Sequence, residues 1–343
     1  MSVTIKDVAN AAGVSPSTVS RVINKKGVIS PETEEKIFAV MKELNYIPNK
    51  TARSFASGST MAIALIIDVA DVRAYSNNFF NNSVFGIETV AHQNGYDLII
   101  TNGRRNDIEG SMENIVLSKK VDGIILPETM VKTDFLRKLD EMDFPYVILG
   151  QPPVSHQWCN WVDINNVQGG ALAVEHLLDK GYRKIAFLSS GEKEVFNRNR
   201  IKGYQEALNQ KQMPLFPDYI RHCQSSVESG LAIAKEMLTG ENPPDAFICS
   251  DYYLGIGVKR AVAQVGLSIP SDIGLIFFDN SPVAELIEPS ITTVDIDTLG
   301  LGQQAASILI SKITDKQLGG RQTLIGTKII ERESTQRVKE NRI

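Results

Sequence analysis

From residue 62 onward the sequence alternates short, unbroken runs of Ile, Val, Leu and Phe with amphipathic stretches of helical period, and this alternation limits the fold more than any other feature. Residues 62–67, 97–101, 123–126 and 146–149 form four such runs, and 184–189, 246–249 and 273–278 continue the pattern. Runs too short for a helix and apolar at nearly every position fit strands covered on both faces, so the spacing predicts βαβ units and parallel sheets. At 343 residues the chain exceeds one compact core, and two or three units are expected.

Ahead of this body, residues 4–24 read as two short amphipathic helices joined by a tight turn. Thr4 is placed to cap the first, with Asp7 as the reciprocal acid; Ser15 is placed to cap the second, and Pro16 suits its first position, where an N–H has no intrahelical partner. Gly13 supplies the freedom the turn needs. Ile5, Val8 and Ala9 form one apolar stripe and Val19, Val22 and Ile23 another, so the helices pack there and leave Ser17, Ser20, Arg21 and Asn24 outward. That short, polar, cationic face suits a DNA major groove, where hydroxyls and amides meet base edges or phosphates and an arginine takes a guanine with two hydrogen bonds.

Ser30 and Pro31 with Glu32, Glu34 and Glu35 start a third helix, and Ile37, Val40, Met41 and Leu44 give it an apolar stripe that ends before Pro48. Residues 1–48 are thus a complete small domain. Residues 49–60 follow as a segment able to make two helical turns before Gly58 and too short to be stable alone; the plainer reading of it is a flexible tether. Residues 1–60 hold eight Lys and Arg against five acids, while the whole chain carries −4, so a cationic head precedes an acidic body. Only the head is then suited to touch DNA.

The runs at 5–9, 12–24, 46–49 and 52–55 resemble the head and hinge of the lac repressor (LacI/GalR) family of bacterial transcription regulators. The resemblance extends over essentially the whole chain. It implies an N-terminal all-α helix-turn-helix head plus an α/β periplasmic-binding-protein-like body of two parallel-sheet subdomains, one over 61–161 with 293–320 and the other over 162–292 with 321–338. Residues 339–343 are a tail. It also implies a cytoplasmic homodimer that sets two recognition helices on a near-palindromic double-stranded operator, with Pro16, Ser17 and Arg21 toward bases and Thr4, Ser20, Asn24, Lys25 and Arg53 nearer phosphates. Phe55 stands where the family drives a leucine into the minor groove, and an apolar wedge of this kind bends DNA by unstacking a base step.

Ligand residues are expected at the carboxyl ends of the strands. The resemblance points to Phe79 and Phe80 after the first strand, to Arg200 in the R-x-x-G-Y element at 200–204, and to Ser225, Ser250 and Asp279. Arg200 offers a planar fork for hydroxyls or a carboxylate, and Asp279 a carboxylate able to accept from two adjacent sugar hydroxyls. The structural alternatives are that Arg200 pairs with a cleft acid and Asp279 caps the following turn. Ser225 falls where several relatives carry an aromatic that stacks on the ligand and Gly150 where the family's namesake carries an acid, which together predict a roomier pocket, as a disaccharide or larger glycoside requires. Residues 278–281 with 292–296 resemble maltose-type (α-glucoside) regulators within the family. A small sugar effector that releases the protein from a sugar-utilisation operator is the implied function. A regulator dependent on a corepressor or a carrier protein, and a sugar-binding receptor without DNA function, are the alternatives.

Four histidines and three cysteines show no metal-ligand spacing, and no phosphate loop or nucleophile motif occurs, so no cofactor, metal or enzymatic activity is expected. Cys159, Cys223 and Cys249 read as reduced packing residues. The N-terminus carries no export signal and no apolar run is long enough to span a membrane. The charged segment from Arg332 lacks leucine heptads, which favours a dimer over a tetramer, and it reads as a solvated end.

Overall fold

The computed structural model describes residues 3–23, 27–47, 58–67, 78–103, 114–153 and 159–337. Asn24, Lys25, Arg53 and Phe55 lie outside them, as does most of the 49–60 segment. Two compact units are present, residues 1–61 and 62–343.

The first unit is built as its stripes require. Helix α1 (Ile5–Ala12) starts on a reciprocal box: the Asp7 carboxylate accepts from Thr4 N at 2.8 Å and Thr4 Oγ1 at 2.7 Å, and Thr4 Oγ1 accepts from Asp7 N at 3.4 Å. It ends at Gly13, whose φ of 69° is left-handed. Helix α2 (Pro16–Ile23) follows Ser15, whose Oγ accepts from Thr18 N at 3.1 Å. Helix α3 (Pro31–Glu43) follows Ser30, which accepts from Thr33 N at 3.3 Å. Val8, Ala9, Ala12, Val19, Val22 and Ile37 are buried together, with Val40, Met41 and Leu44 packed around them.

The second unit holds two six-stranded sheets. Strands β1 (Ala62–Ile67), β2 (Asp97–Asn102), β3 (Gly123–Pro127), β4 (Tyr146–Leu149), β5 (Trp161–Ile164) and β11 (Gln322–Ile325) form the first, in the order β11-β5-β4-β3-β1-β2, all parallel. The second contains β6 (Ile185–Ser189), β7 (Ile220–His222), β8 (Ala246–Cys249), β9 (Gly274–Phe278), β10 (Thr292–Ile296) and β12 (Thr327–Ile330), in the order β12-β10-β9-β8-β6-β7. Only β12 runs antiparallel, at one edge. The flanking helices are α4 (Asn78–Gln93), α5 (Thr133–Glu141), α6 (Asn166–Asp179), α7 (Val195–Gln210), α8 (Val227–Leu238), α9 (Tyr252–Gln264), α10 (Pro282–Leu286) and α11 (Thr298–Thr314).

The chain passes between the sheets three times: after β5, after β10, and between β11 and β12 at Gly326. These crossings lie later than the sequence boundaries at 161/162, 292/293 and 320/321. The reason is register: β5 pairs with β4 through Val162 and with β11 through Ile164, and β10 pairs with β9 and β12 before α11 returns to the first sheet. A second correction concerns the segment from Arg332. Up to Arg337 it is no solvated end, because Ser334 and Thr335 are fully buried and Ser334 Oγ donates to Leu275 O at 2.6 Å. Arg332 Nη1 donates to Ile291 O at 2.9 Å.

Candidate functional site

In the head, the outward face of α2 presents Pro16, Ser17 and Arg21 exposed, with Ser20 half-buried beside them. Ser17 Oγ shares a 2.7 Å hydrogen bond with the cap residue Ser15, and Thr4 is committed to its capping box. Arg21 stands in the last turn of α2 with no hydrogen bond among the described residues.

In the body, close helix packing places the central cation. A Cβ at Gly203 would strike the carbonyl oxygen of Val167, and one at Gly170 would strike that of Arg200, so α6 and α7 touch backbone to backbone there. Tyr204 is fully buried and its hydroxyl donates to Ile185 O at 2.7 Å, fixing α7 to β6. Arg200, one turn earlier, is thereby turned inward and is only 6% exposed. Its Nε donates to Asn166 Oδ1 at 2.9 Å and its Nη1 to Ser250 O at 2.8 Å. The guanidinium lies over Phe278, 3.9 Å from the ring centroid, with Phe196 at 5.0 Å.

Burial lowers the Arg200 pKa to about 10, against the pull of Asp163, Asp251 and Asp279, so it remains a cation at neutral pH. Asn166 Nδ2 donates to Ile164 O at 3.0 Å and lies 3.5 Å from both Asp163 oxygens. Asp163, on the first sheet, is thus joined through Asn166 to Arg200 beside the second. Burial pushes the Asp163 carboxyl upward, while hydrogen bonds from Ile164 and Gln151 and the nearby guanidinium work the other way.

Asp279 follows β9 with a left-handed φ of 79°, a conformation aspartate tolerates better than most side chains. Burial raises its pKa to about 6; Arg200 opposes the rise and Asp295 adds to it. It does not cap α10, whose N-cap is Ser281. Ser250 meets Arg200 through its carbonyl, while its hydroxyl accepts from Ser190 N at 2.8 Å and donates to Asp251 at 3.3 Å. Ser225 is half-buried in the loop after β7, next to the α8 cap Ser226. Phe79 and Phe80 lie in the first turn of α4 rather than in a loop, with Phe79 37% exposed. Arg200, Ser250 and Asp279 therefore form one group.

The structure adds residues that the motifs missed. Asp163 and Asn166 flank the first crossing. Asn199 Nδ2 donates to Gln151 Oε1 at 2.9 Å, linking α7 to the loop after β4. Glu128 follows β3, and its side chain fills the space above Gly150: a Cβ at 150 would come within 2.5 Å of Glu128 Cγ, and Gly150 itself has φ of 97°. At Gly150 the space left by the missing side chain is taken by the Glu128 side chain, which follows the neighbouring strand β3. Burial raises the Glu128 pKa to about 7, with Asp163 and Glu194 adding to the rise and Arg198 opposing it. Its position at a strand's carboxyl end was the available sequence signal.

In chain order, this arrangement defines a helix-turn-helix head followed by a two-sheet binding body. Residues 4–49 match the model for bacterial regulatory proteins of the lacI family, and residues 174–335 match that for the periplasmic binding protein-like domain. The chain is 35% identical to the HTH-type transcriptional regulator MalR of Streptococcus pneumoniae over 341 residues, covering 97% of this chain and 100% of that protein. It superposes on the complex of the transcriptional regulator CelR with cellobiose with a TM-score of 0.73, at 29% identity over 97% of this chain and 99% of that one. On the lac repressor dimer bound to operator and the anti-inducer ONPF the TM-score is 0.79, at 26% identity over 98% and 99%. The chain belongs to the lacI family of bacterial regulatory proteins and is an HTH-type transcriptional regulator. Among the described residues no helix is long and apolar enough to cross a membrane, and no cluster of three metal-ligating side chains occurs.

Proposed function

We propose that the protein represses a sugar-utilisation operon from the cytoplasm, as a homodimer on a near-palindromic operator, and leaves the DNA when a small sugar enters the cleft between the two sheets. It acts in this reading as a binding protein and not as an enzyme. The observation that carries it is Arg200, a buried cation stacked on Phe278 beside Asp279, where a planar donor fork and a carboxylate acceptor meet at strand ends. The CelR complex with cellobiose supports the choice of ligand class.

At the DNA, Pro16, Ser17 and Arg21 face bases, and Thr4, Ser20, Asn24, Lys25 and Arg53 approach phosphates; Phe55 enters the minor groove. In the cleft, Phe79, Phe80, Ser225 and Ser250 accompany Arg200 and Asp279. The working division is a head over 1–48, a hinge over 49–60 and a body over 61–338. Phe85, Ile99 and Ile100 are exposed apolar side chains on α4 and the edge strand β2, a surface suited to a second copy of the chain. The decisive experiment selects an operator from random duplexes and titrates the complex with mono- and disaccharides. Release by at least one sugar is expected, and stable complexes with every sugar would overturn the reading.

A further inference from the structure

We propose that Glu128 is the specificity-determining acceptor of the cleft, taking a hydrogen bond from a ligand hydroxyl and turning away ligands that carry phosphate or carboxylate; the proposal rests on the sugar reading above. Three observations support it. First, Glu128 stands at the carboxyl end of β3 and is held over Gly150, a position that needs both the missing side chain and the left-handed φ. Second, its carboxylate has no hydrogen bond among the described residues, while Asp163, Glu194 and Arg198 surround it electrostatically. Arg198 does not neutralise it outright, since its Nη1 donates to Lys193 O at 2.7 Å and to Glu192 O at 3.5 Å.

Third, α7 and the loop beyond β9 leave buried oxygen atoms unpaired. Glu194 Oε2, Asn197 Oδ1 and Ser281 Oγ are all buried without a hydrogen-bond partner, and Asn197 is fully buried. Two of the three can only accept, and a buried acceptor left unpaired is unfavourable until a donor arrives. Glu194, the one of the three that acts on Glu128 electrostatically, sets a second unpaired acceptor beside it. Arg200, the buried cation, already spends Nε on Asn166 and Nη1 on a carbonyl. An anionic ligand would bring its charge toward Glu128, Glu194 and Asp163, and like charges so placed repel strongly. A hydroxyl-dense, uncharged sugar supplies donors without that repulsion. The raised proton affinity of Glu128 has the same origin, a carboxylate partly withdrawn from water among other acids.

The test is calorimetric titration of the full-length protein at about pH 8, above the Glu128 pKa of about 7, with glucose, maltose and cellobiose, each beside its 6-phosphate. At least one neutral sugar is expected to bind, with its phosphate weaker by about fiftyfold or more, and Glu128→Gln is expected to weaken the neutral sugar by about fivefold and to narrow the gap. Glutamine keeps the shape over Gly150, and the thermal midpoint of each variant checks folding. A phosphorylated sugar that binds as tightly as its parent overturns the proposal, as does a Glu128→Gln protein with unchanged affinity and gap. If Arg200→Lys still weakens the sugar in that case, the cleft reading stands and the Glu128 assignment alone falls. Failure of every sugar to bind overturns both.

Discussion

The guanidinium of Arg200 lies over the ring of Phe278, its Cζ 3.9 Å from the centroid, and the next residue in the chain is Asp279. One strand end thus supplies both an apolar platform and an acid. The ring holds the cation without a salt bridge, and Nη2 is left without a hydrogen bond among the described residues. Arg200→Lys removes the planar fork, and Asp279→Asn keeps a side chain tolerant of the left-handed backbone while removing the charge. Each is expected to weaken the releasing sugar by about tenfold or more, or about 1.4 kcal/mol. Calorimetric affinities within twofold of wild type for both would remove them from the ligand grip.

The raised pKa values of Asp279, about 6, and Glu128, about 7, predict a pH dependence of stability. In the unfolded chain these carboxyls ionise near their ordinary values of 3.8 and 4.5. Between those values and the folded ones the native protein binds more protons, so their contribution to stability falls as pH rises through that window. Glu128→Gln should therefore raise the thermal midpoint more at pH 8 than at pH 4.5. An equal shift at both would contradict the burial of that carboxyl.

Gly203→Ala tests the helix contact that sets Arg200. The new methyl meets the backbone of Val167, which cannot rotate away, and a loss of about 1–3 kcal/mol is expected. Sugar affinity should fall as well. Gly319→Ala, where no atom lies within 4 Å of the new Cβ, is the control and should leave affinity unchanged. Denaturant midpoints and titrations of the two variants decide it.

Arg21→Ala should lower affinity for the selected operator by about 1–3 kcal/mol while changing binding to random duplex far less, because base contacts specify and phosphate contacts do not. Equal losses on both DNAs, measured by fluorescence anisotropy at one salt concentration, would assign Arg21 to the phosphates.

Ile100→Lys places a charge on the exposed edge strand β2. Sedimentation should show a shift from dimer toward monomer, and a variant still fully dimeric would move the interface elsewhere.

Sequence reading reached the head almost completely, since capping at Thr4, Ser15 and Ser30 and the stripes around Val8, Val19 and Ile37 are local matters. Seven of the twelve strands among the described residues, β1, β2, β3, β4, β6, β8 and β9, were legible as apolar runs, whereas β5, β7, β10, β11 and β12 were not, because they are short and carry Asp, Thr, Arg, Lys or Gln among their apolar residues. Which sheet a strand joins was not: Trp161–Ile164 reads alike in either, and only its pairing with β4 and β11 decides. Arg200 and Asp279 could be named from their motifs. Asp163, Asn166 and Glu128 could not be joined to them, because their proximity depends on crossings and on a helix contact made through Gly170 and Gly203.

Strands β11 and β12 lie in different sheets and are separated by Gly326 alone. Successive Cα atoms are about 3.8 Å apart, so the halves are stitched at that point and cannot be drawn away from each other. Any opening of the cleft must be a pivot around this stitch, in which small rotations near the fulcrum become larger displacements at the far rim of each sheet.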